Sequence, residues 1–336
     1  MFAIAAGIAY PPLGVAAAGL QLQVAATVGI FVISGLVLQS GEALTAIKST
    51  LALVWGLAAI LLITPLMSFA VLKLPLQPPA MALGLAIYCC MPTSLSTNIA
   101  LTQAANGNAA VSLLLTVASS LLSVATVPLI VSRVVVAAGA AGGAAVVPGF
   151  SAAALFKSLV VTVLLPLLAG VAAQSCLPGV QGWRSRNKKL LSYISTFFLC
   201  LVPWMQVSKA ASTQLQLSPA SLAAGAAAGA GLHLALLLFS IAAAKLLRFN
   251  SDAAQNVAIR KAVILATAQK TLPIAVAVLG KLEASLGPAV GIAVIPAVMA
   301  HLLQTVIDSL LVARWNQQEA AQAASASVMG LGLKGA

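Results

Sequence analysis

The sequence predicts an all-α integral membrane protein. Hydrophobic residues make up 61% of the 336 residues and charged residues only 7%, whereas roughly 25% of an average soluble domain is charged. Apolar stretches close to the length of about 20 residues that a helix needs to cross a bilayer recur from end to end. The alternating segments of about 10 residues that build a membrane β-barrel are not found. The lipid bilayer is therefore the expected surroundings of most of the chain.

Prolines, glycines and charged residues divide the chain into about ten candidate spans. The spans cover approximately residues 1–19, 22–40, 46–72, 79–104, 108–136, 151–176, 189–209, 218–247, 258–280 and 285–314. Segment 138–150 is rich in glycine and alanine and is typical of a linker. We expect it to separate a five-helix repeat at 1–137 from a second one at 151–314, followed by a flexible C-terminal tail at 315–336.

The basic residues describe topology rather than a nucleic-acid site, although the net charge is +12. With these spans, eleven Lys and Arg lie in loops on the side of the N-terminus, and four lie opposite, at Lys73, Arg133, Lys209 and Lys281. The positive-inside rule then puts both termini on the cytoplasmic or the equivalent stromal side. No transit segment is recognisable, so composition does not identify the organelle.

Two spans are interrupted at matching positions in the two repeats. Span four breaks at MPTSLSTN, residues 91–98, and span nine breaks at Gln269, Lys270, Thr271 and Pro273. Five spans per repeat make the repeats inverted in topology. Inverted repeats with broken helices indicate a secondary transporter, whose substrate and ion sites form where the breaks meet near the midplane.

The first break has the chemistry of a cation site. Thr97 and Asn98 offer hydroxyl and carbonyl oxygens, and unwinding frees backbone carbonyls. A polar stripe follows on one face of span five, at Ser112, Thr116, Ser119 and Ser123. A proline kink patched by hydroxyl groups, and a stripe of small residues for close helix packing, would give the same pattern, so both interpretations stay open.

Lys270 is the strongest single signal, because a Lys at a span centre costs about 2.5 to 3.5 kcal/mol on insertion scales and usually marks function. It can meet a substrate carboxylate, stand in for a metal cation, or pair with backbone carbonyls. Asp308 lies inside the last span, near its cytoplasmic end, and can relay protons with His301. His301 and His233 are otherwise expected to be packed polar residues.

Other classes of protein fit less well. The sequence has no HExxH, GxSxG or Walker A run, so an intramembrane enzyme is disfavoured. A channel is disfavoured because no charged ring or repeated pore loop is present. The four cysteines lack the spacing of a disulfide framework or a zinc site. We expect no cofactor or obligate protein partner.

The stretch MPTSLSTNIALTQAANGNAAVSLLLTVASSLLSVATVP resembles the fourth and fifth helices of the bile acid:sodium symporter family. FVISGLVL at 31–38 and ATAQKTLPIAVAVL at 266–279 are similar to its plastid-type sodium/metabolite cotransporters of plants and algae. The resemblance implies a panel and a core domain, crossing fourth and ninth helices, sodium-coupled uptake of organic anions, and the chloroplast envelope as location.

The resemblance also implies site residues. The ligands of one sodium ion would be Thr97, Asn98, Ser112 and Thr116, and Gln269 matches a ligand of a second. Lys270, Thr271, Ser94 and Ser96 are the residues expected at the substrate.

Two departures from the family pattern weaken the second sodium site. Leu265 stands where the family has a glutamate ligand, and Ile60 stands where it has a glutamine ligand on the third helix. Lys270 follows Gln269 where the family usually has a neutral amide. We therefore expect at most one sodium per cycle, with proton-coupled or facilitated transport as the alternative.

Overall fold

The computed structural model describes residues 6–7, 9–37, 49–94, 97–140, 151–212, 218–287 and 289–332. No strand occurs in this part of the chain, in agreement with the predicted all-α fold. The linker residues 141–150 and the site candidate Ser96 lie outside the described residues.

The helices are numbered in chain order. They are α1 Pro11–Gly19, α2 Leu22–Val37, α3 Thr50–Val71, α4 Ala80–Cys89, α5 Thr97–Ala104, α6 Ala109–Ala140, α7 Ala152–Cys176, α8 Val180–Arg186, α9 Lys188–Ser212, α10 Pro219–Leu246, α11 Ala253–Ala268, α12 Leu272–Lys281, α13 Glu283–Leu286 and α14 Ala289–Gly332.

Seven spans in the described residues are long and apolar enough to cross a membrane, and α11 with α12 counts as one of them. The number becomes eight if α1 and α2, which meet at a bend of 76°, form one span. The structure therefore agrees with a multi-pass membrane protein. A shorter apolar helix, α4, precedes the first predicted break.

Helix α3 contains a π-helical turn at Ala59–Ile63 just before Pro65. The N–H of Thr64 bonds to Ala59 O, five residues back. The next residue in that register is Pro65, which has no N–H to offer to Ile60 O. A π turn inside an α-helix is frequently found at functional sites. It leaves the carbonyl of Ile60 free for another donor.

The helices pack in two groups. In the first group, α2 packs against α7 and α9, and α1 packs against α9. In the second group, α14 packs against α4, α10 and α12, while α11 packs against α5, α6 and α10. Helix α3 joins the second group through α6 and α11, and α9 also contacts α14.

Close backbone approach inside each group depends on small residues. A Cβ atom at Gly35 would lie 2.2 Å from Leu167 O, and one at Gly170 would lie 2.2 Å from Val32 O, so α2 and α7 touch through reciprocal glycines. In the second group a Cβ at Gly84 would lie only 1.8 Å from Ala293 O. Such contacts are typical of helix pairs in lipid, where dispersion rather than hydrophobic burial drives association.

The C-terminal segment differs from the predicted flexible tail, because α14 continues as a helix to Gly332. Polar contacts tie its extension to the rest of the protein. Lys261 Nζ forms an ion pair with Glu319, and Asn316 Nδ2 donates to Ala104 O at 2.9 Å. The composition of 315–332 is also that of a good helix former, since Ala and Gln have high helix propensity.

Candidate functional site

The two predicted breaks meet. Thr271 N donates a hydrogen bond to Pro92 O at 2.9 Å, so backbone atoms of the first and second break are in direct contact. Gln269 and Thr271 have extended backbone angles, with ψ of 147° and 129°, which separate α11 from α12. Residues 91–94 are likewise non-helical and buried. Contact between the breaks brings the polar residues of both breaks into one buried region.

At the first break, Asn98 and two residues of α6 form one hydrogen-bonded set. Asn98 Nδ2 donates to Thr116 Oγ1 at 2.9 Å, and Thr116 Oγ1 donates to Ser112 O at 2.7 Å. All three side chains are fully buried. Asn98 Oδ1 and Thr93 Oγ1 are buried oxygens without a hydrogen-bond partner among the described residues. The structure thus brings together three of the four predicted ligands of the first sodium ion.

The remaining first-break candidates lie close by in the chain. Thr97 begins α5 and is half-buried, and Ser94 is buried with 4% exposure. The hydroxyl stripe of α6 is fully buried. Ser119 Oγ donates to Thr116 O at 3.2 Å and Ser123 Oγ to Ser120 O at 2.7 Å, both within α6, as close packing of small residues also predicts. Ser112 and Thr116 alone connect the stripe to the break.

Hydroxyl, amide and backbone oxygens are hard ligands, which bind hard cations. The unpaired oxygens of Asn98 and Thr93 are acceptors in a buried region, where an unsatisfied polar atom is costly. The residues present therefore fit a small cation such as sodium. In the described part of the chain no cluster of three or more His, Cys, Asp or Glu suits a transition metal.

At the second break, Gln269 bonds to a carboxylate that also contacts a buried histidine. Gln269 Nε2 donates to Asp308 Oδ2 at 2.8 Å, and the other carboxylate oxygen lies 2.8 Å from His233 Nε2. The side chains of His233 and Asp308 are only 3% and 0% exposed. Asp308 therefore lies beside the second break. Gln269 Oε1 has no partner among the described residues.

Gln304 replaces the backbone hydrogen bonds that the second break removes. Its Oε1 accepts from Lys270 N at 3.1 Å, and its Nε2 donates to Lys270 O at 2.8 Å. Tyr88 OH also donates to Lys270 O, at 3.0 Å. His301 Nδ1 lies 3.0 Å from Gln304 Nε2, so His301 supports this amide. Among the described residues no hydrogen bond joins His301 to Asp308, so these two do not form the direct relay considered above.

The ammonium of Lys270 lies against the π turn of α3. Lys270 Nζ donates to Thr64 Oγ1 at 2.7 Å and reaches Ile60 O at 3.4 Å. The side chain is fully buried. Among the described residues no carboxylate lies within 4 Å of its nitrogen. A buried ammonium is thus held by neutral oxygens of α3.

Sequence reasoning missed four residues of this region: Thr64, Tyr88, His233 as an ion-pair partner, and Gln304. Thr64 precedes Pro65, and that dipeptide is a signal for a freed carbonyl. Gln304 is an amide inside an apolar span, which also predicts a buried partner. No local signal pairs His233 with Asp308, which are 75 residues apart.

Comparison with known proteins gives a consistent result. A family model described as the SBF-like CPA transporter family matches residues 1–317. The probable sodium/metabolite cotransporter BASS4, chloroplastic, of Arabidopsis thaliana is 40% identical over 310 residues, which cover 92% of this chain and 69% of that protein. Proteins of the same name from Oryza sativa subsp. indica and subsp. japonica are each 39% identical over 325 residues, or 94% of this chain and 75% of theirs.

Proposed function

Because this chain belongs to the SBF-like CPA transporter family, we propose that it is a secondary active transporter that moves one small organic anion together with one sodium ion. Its relatives are named chloroplastic sodium/metabolite cotransporters rather than enzymes. We propose the chloroplast envelope as its location by the same comparison. The observation that carries the proposal is the hydrogen bond between the two breaks, from Thr271 N to Pro92 O at 2.9 Å.

The proposed architecture has ten spans in two inverted five-helix repeats, at 1–137 and 151–314, joined by the linker 138–150. Ten spans result if α1 and α2 cross separately, and if α4 with α5, and α11 with α12, are each one broken span. The broken spans support the repeat, since α4 with α5 is the fourth span of the first repeat and α11 with α12 is the fourth span of the second. The first helix group would be the panel and the second the core.

The proposed sodium site consists of Thr97, Asn98, Ser112 and Thr116. The buried bonds of Asn98 and Thr116 support it, as does the unpaired Oδ1 of Asn98. Sodium would supply a positive charge beside the unwound chain, where the freed carbonyls of the first break need a partner. Its ligands come from α5 and α6, so its binding would fix the break against α6.

We further propose that Lys270 takes the place of a second cation. Its ammonium lies against Ile60 O on α3, and Ile60 is where the family resemblance expects a glutamine ligand. Leu265, where the resemblance expects the glutamate of that site, is fully buried and apolar. Gln269 keeps one free oxygen beside this region, although its amide nitrogen is bound to Asp308.

In this mechanism the core rocks against the panel around the crossed breaks and exposes the site to each side in turn. Sodium on the first break and Lys270 on the second would balance the charge of an anionic substrate, with Thr271, Ser94 and Ser96 as neighbouring hydrogen-bonding groups. A ligand shifts the equilibrium only by its different affinity for the two states. Coupling therefore requires that sodium and substrate together favour the movement more than either alone.

The experiment that tests the sodium site needs no substrate. We would measure the melting temperature of the purified full chain in sodium against potassium and choline at equal ionic strength, for wild type and Asn98→Ala. At a sodium concentration about 100 times Kd, binding stabilises the folded state by about 2.7 kcal/mol. Asn187→Ala is a matched control, because Asn187 is only partly buried, lies in the chain far from both breaks, and donates its amide to Trp183 O of α8.

A rise that is specific for sodium, kept in Asn187→Ala and lost in Asn98→Ala, is the expected result. Equal melting temperatures in the three salts would reject a sodium site at the first break. The second candidate function, a proton-coupled or facilitated carrier, would then apply. The observation that favours it is the ammonium of Lys270, which already provides a fixed positive charge beside the breaks.

A further inference from the structure

A polar cavity lies between the two helix groups, away from the breaks. Its volume is about 200 Å³. One wall comes from α1, α2, α7 and α9, and includes Gln23, Thr162 and Lys209; the other comes from α12 and α13, and includes Ala277, Lys281 and Glu283. Pockets for drug-sized ligands are typically about 300 to 1,000 Å³. This cavity is thus of a size for a smaller molecule.

An ion pair crosses the cavity. Lys209 Nζ of the first helix group lies 2.7 Å from Glu283 Oε1 of the second, and the two side chains are 29% and 41% exposed. Among the described residues, the Lys261–Glu319 ion pair and the His233–Asp308 pair both lie within the second group. A movement of one group against the other therefore changes the Lys209–Glu283 pair and leaves the other two in place.

The charges of the cavity favour an anion. Lys209 and Lys281 contribute two positive charges and Glu283 one negative charge, which leaves the lining at +1. Amide and hydroxyl side chains at Gln21, Gln23, Thr27 and Thr162 also line it beside small apolar residues, and Gln206 Nε2 donates to Gln23 Oε1 at its edge. The Glu283 carboxylate already shows how Lys209 binds such a group, because an ammonium pairs well with a carboxylate oxygen at this distance.

We propose that this cavity is an access site for a small carboxylate, in which the carboxylate of the transported molecule replaces Glu283 on the ammonium of Lys209. The replacement would free the second helix group to move, because it breaks the ion pair that joins the two groups. This inference rests on the proposed function, which states that the transported substrate is an anion. On the proposed topology the cavity opens on the side opposite the termini.

The test measures the electrostatics of the cavity without any transport. The exposed Cys176 and Cys200 are replaced by Ser, and one cysteine is introduced at Ala277→Cys or Thr162→Cys, on opposite walls. The full chain in detergent is then labelled with two thiosulfonate reagents of similar size, one anionic and one cationic. The readout is the ratio of the two labelling rates after subtracting the rate of the parent without an introduced cysteine.

Glu283→Gln keeps the shape of the side chain and removes its negative charge, so the anionic-to-cationic ratio should rise about threefold, the effect of one partly exposed charge. Lys209→Gln should lower it by about the same factor. Lys73→Gln is the control, since Lys73 is exposed and outside the cavity. It should leave the ratio unchanged. When acetate replaces chloride in the buffer, labelling by the anionic reagent should slow in the single-cysteine protein and in its Glu283→Gln variant. It should not slow in the Lys209→Gln variant.

The proposal would be overturned by ratios that are the same in all variants at both cysteine positions, or by acetate protection that persists in Lys209→Gln. Equal rates of anionic labelling in acetate and in chloride would also overturn the proposal, because the cavity would then not select a carboxylate. The sodium-dependent melting experiment is independent of this labelling. If melting shows no sodium response and labelling shows the expected pattern, the proposed sodium coupling is rejected and the proposed anion site is supported.

Discussion

The contact between Lys270 and Thr64 gives the sharpest quantitative prediction. Thr64→Val keeps the shape of the side chain and removes the hydroxyl that accepts from Lys270 Nζ at 2.7 Å, which leaves the buried ammonium only the more distant Ile60 O at 3.4 Å. A hydrogen bond to a charged group contributes about 1.5 to 3 kcal/mol. With about 2 °C per kcal/mol for a large chain, the melting temperature should fall by about 3 to 6 °C.

A double-mutant cycle separates this contact from the other bonds of Thr64, whose hydroxyl also donates to Ala59 O. Lys270→Met removes the ammonium and retains an unbranched apolar chain, and replacing a buried charge by an apolar group is often neutral or stabilising. In the Lys270→Met background, Thr64→Val should cost no more than Thr305→Val. Thr305 is the matched control, because its hydroxyl bonds only to His301 O of its own helix.

The assay is thermal unfolding of the purified full chain in one detergent, with all four members of the cycle and the control measured together. The expected coupling energy between the two positions is about 1.5 to 3 kcal/mol, within the range found for residues in direct contact. An equal cost of Thr64→Val in both backgrounds would refute the reasoning. The ammonium would then be satisfied elsewhere.

Three further predictions test the packing and the breaks. Gly84→Ala should prevent accumulation of folded protein, because the added Cβ would lie 1.8 Å from Ala293 O. Gly231→Ala is the control and should be tolerated, since nothing lies within 4 Å of a Cβ there. The yield of monodisperse protein measures both variants, and equal yields would contradict the prediction. Gln304→Met should lower the free energy of unfolding by about 1 to 3 kcal/mol, since it leaves the buried N–H of Lys270 without its partner while Lys270 O keeps the bond from Tyr88 OH, and thermal unfolding checks it. Lys270→Ala should change the ion dependence of metabolite uptake into proteoliposomes, and an unchanged dependence would remove the idea that the ammonium replaces a cation.

The sequence predicted much of the site, because the cost of polar groups in lipid makes them conspicuous. The breaks at 91–98 and 269–273 were identified from prolines and polar residues inside apolar spans, and the structure confirms that residues 91–94 and 269–271 are non-helical. Asn98, Ser112 and Thr116 were selected by their oxygens and helical spacing, and they bond to one another. Membership of the transporter family followed from the same residues and is confirmed by comparison.

Other contacts were outside the reach of pattern arguments. His233 and Asp308 lie 75 residues apart, and Tyr88 and Lys270 lie 182 apart, so no periodicity links them. The Lys209–Glu283 pair joins α9 to α13, and its members are 74 residues apart. The helical extension of α14 also differs from the predicted tail, because composition alone does not include its contacts with Lys261 and Ala104.

The sequence by itself determined that this protein is an α-helical transporter in a membrane, with two broken helices and a buried Lys. It did so because hydrophobic length, proline and isolated polar groups are local properties, and in lipid each has a large cost or benefit of its own. Only the tertiary structure decided which groups satisfy the breaks: Thr64 for the ammonium of Lys270, and Gln304 for its backbone. Partner choice depends on how helices distant in sequence pack, and that packing is set by the shapes of many side chains at once.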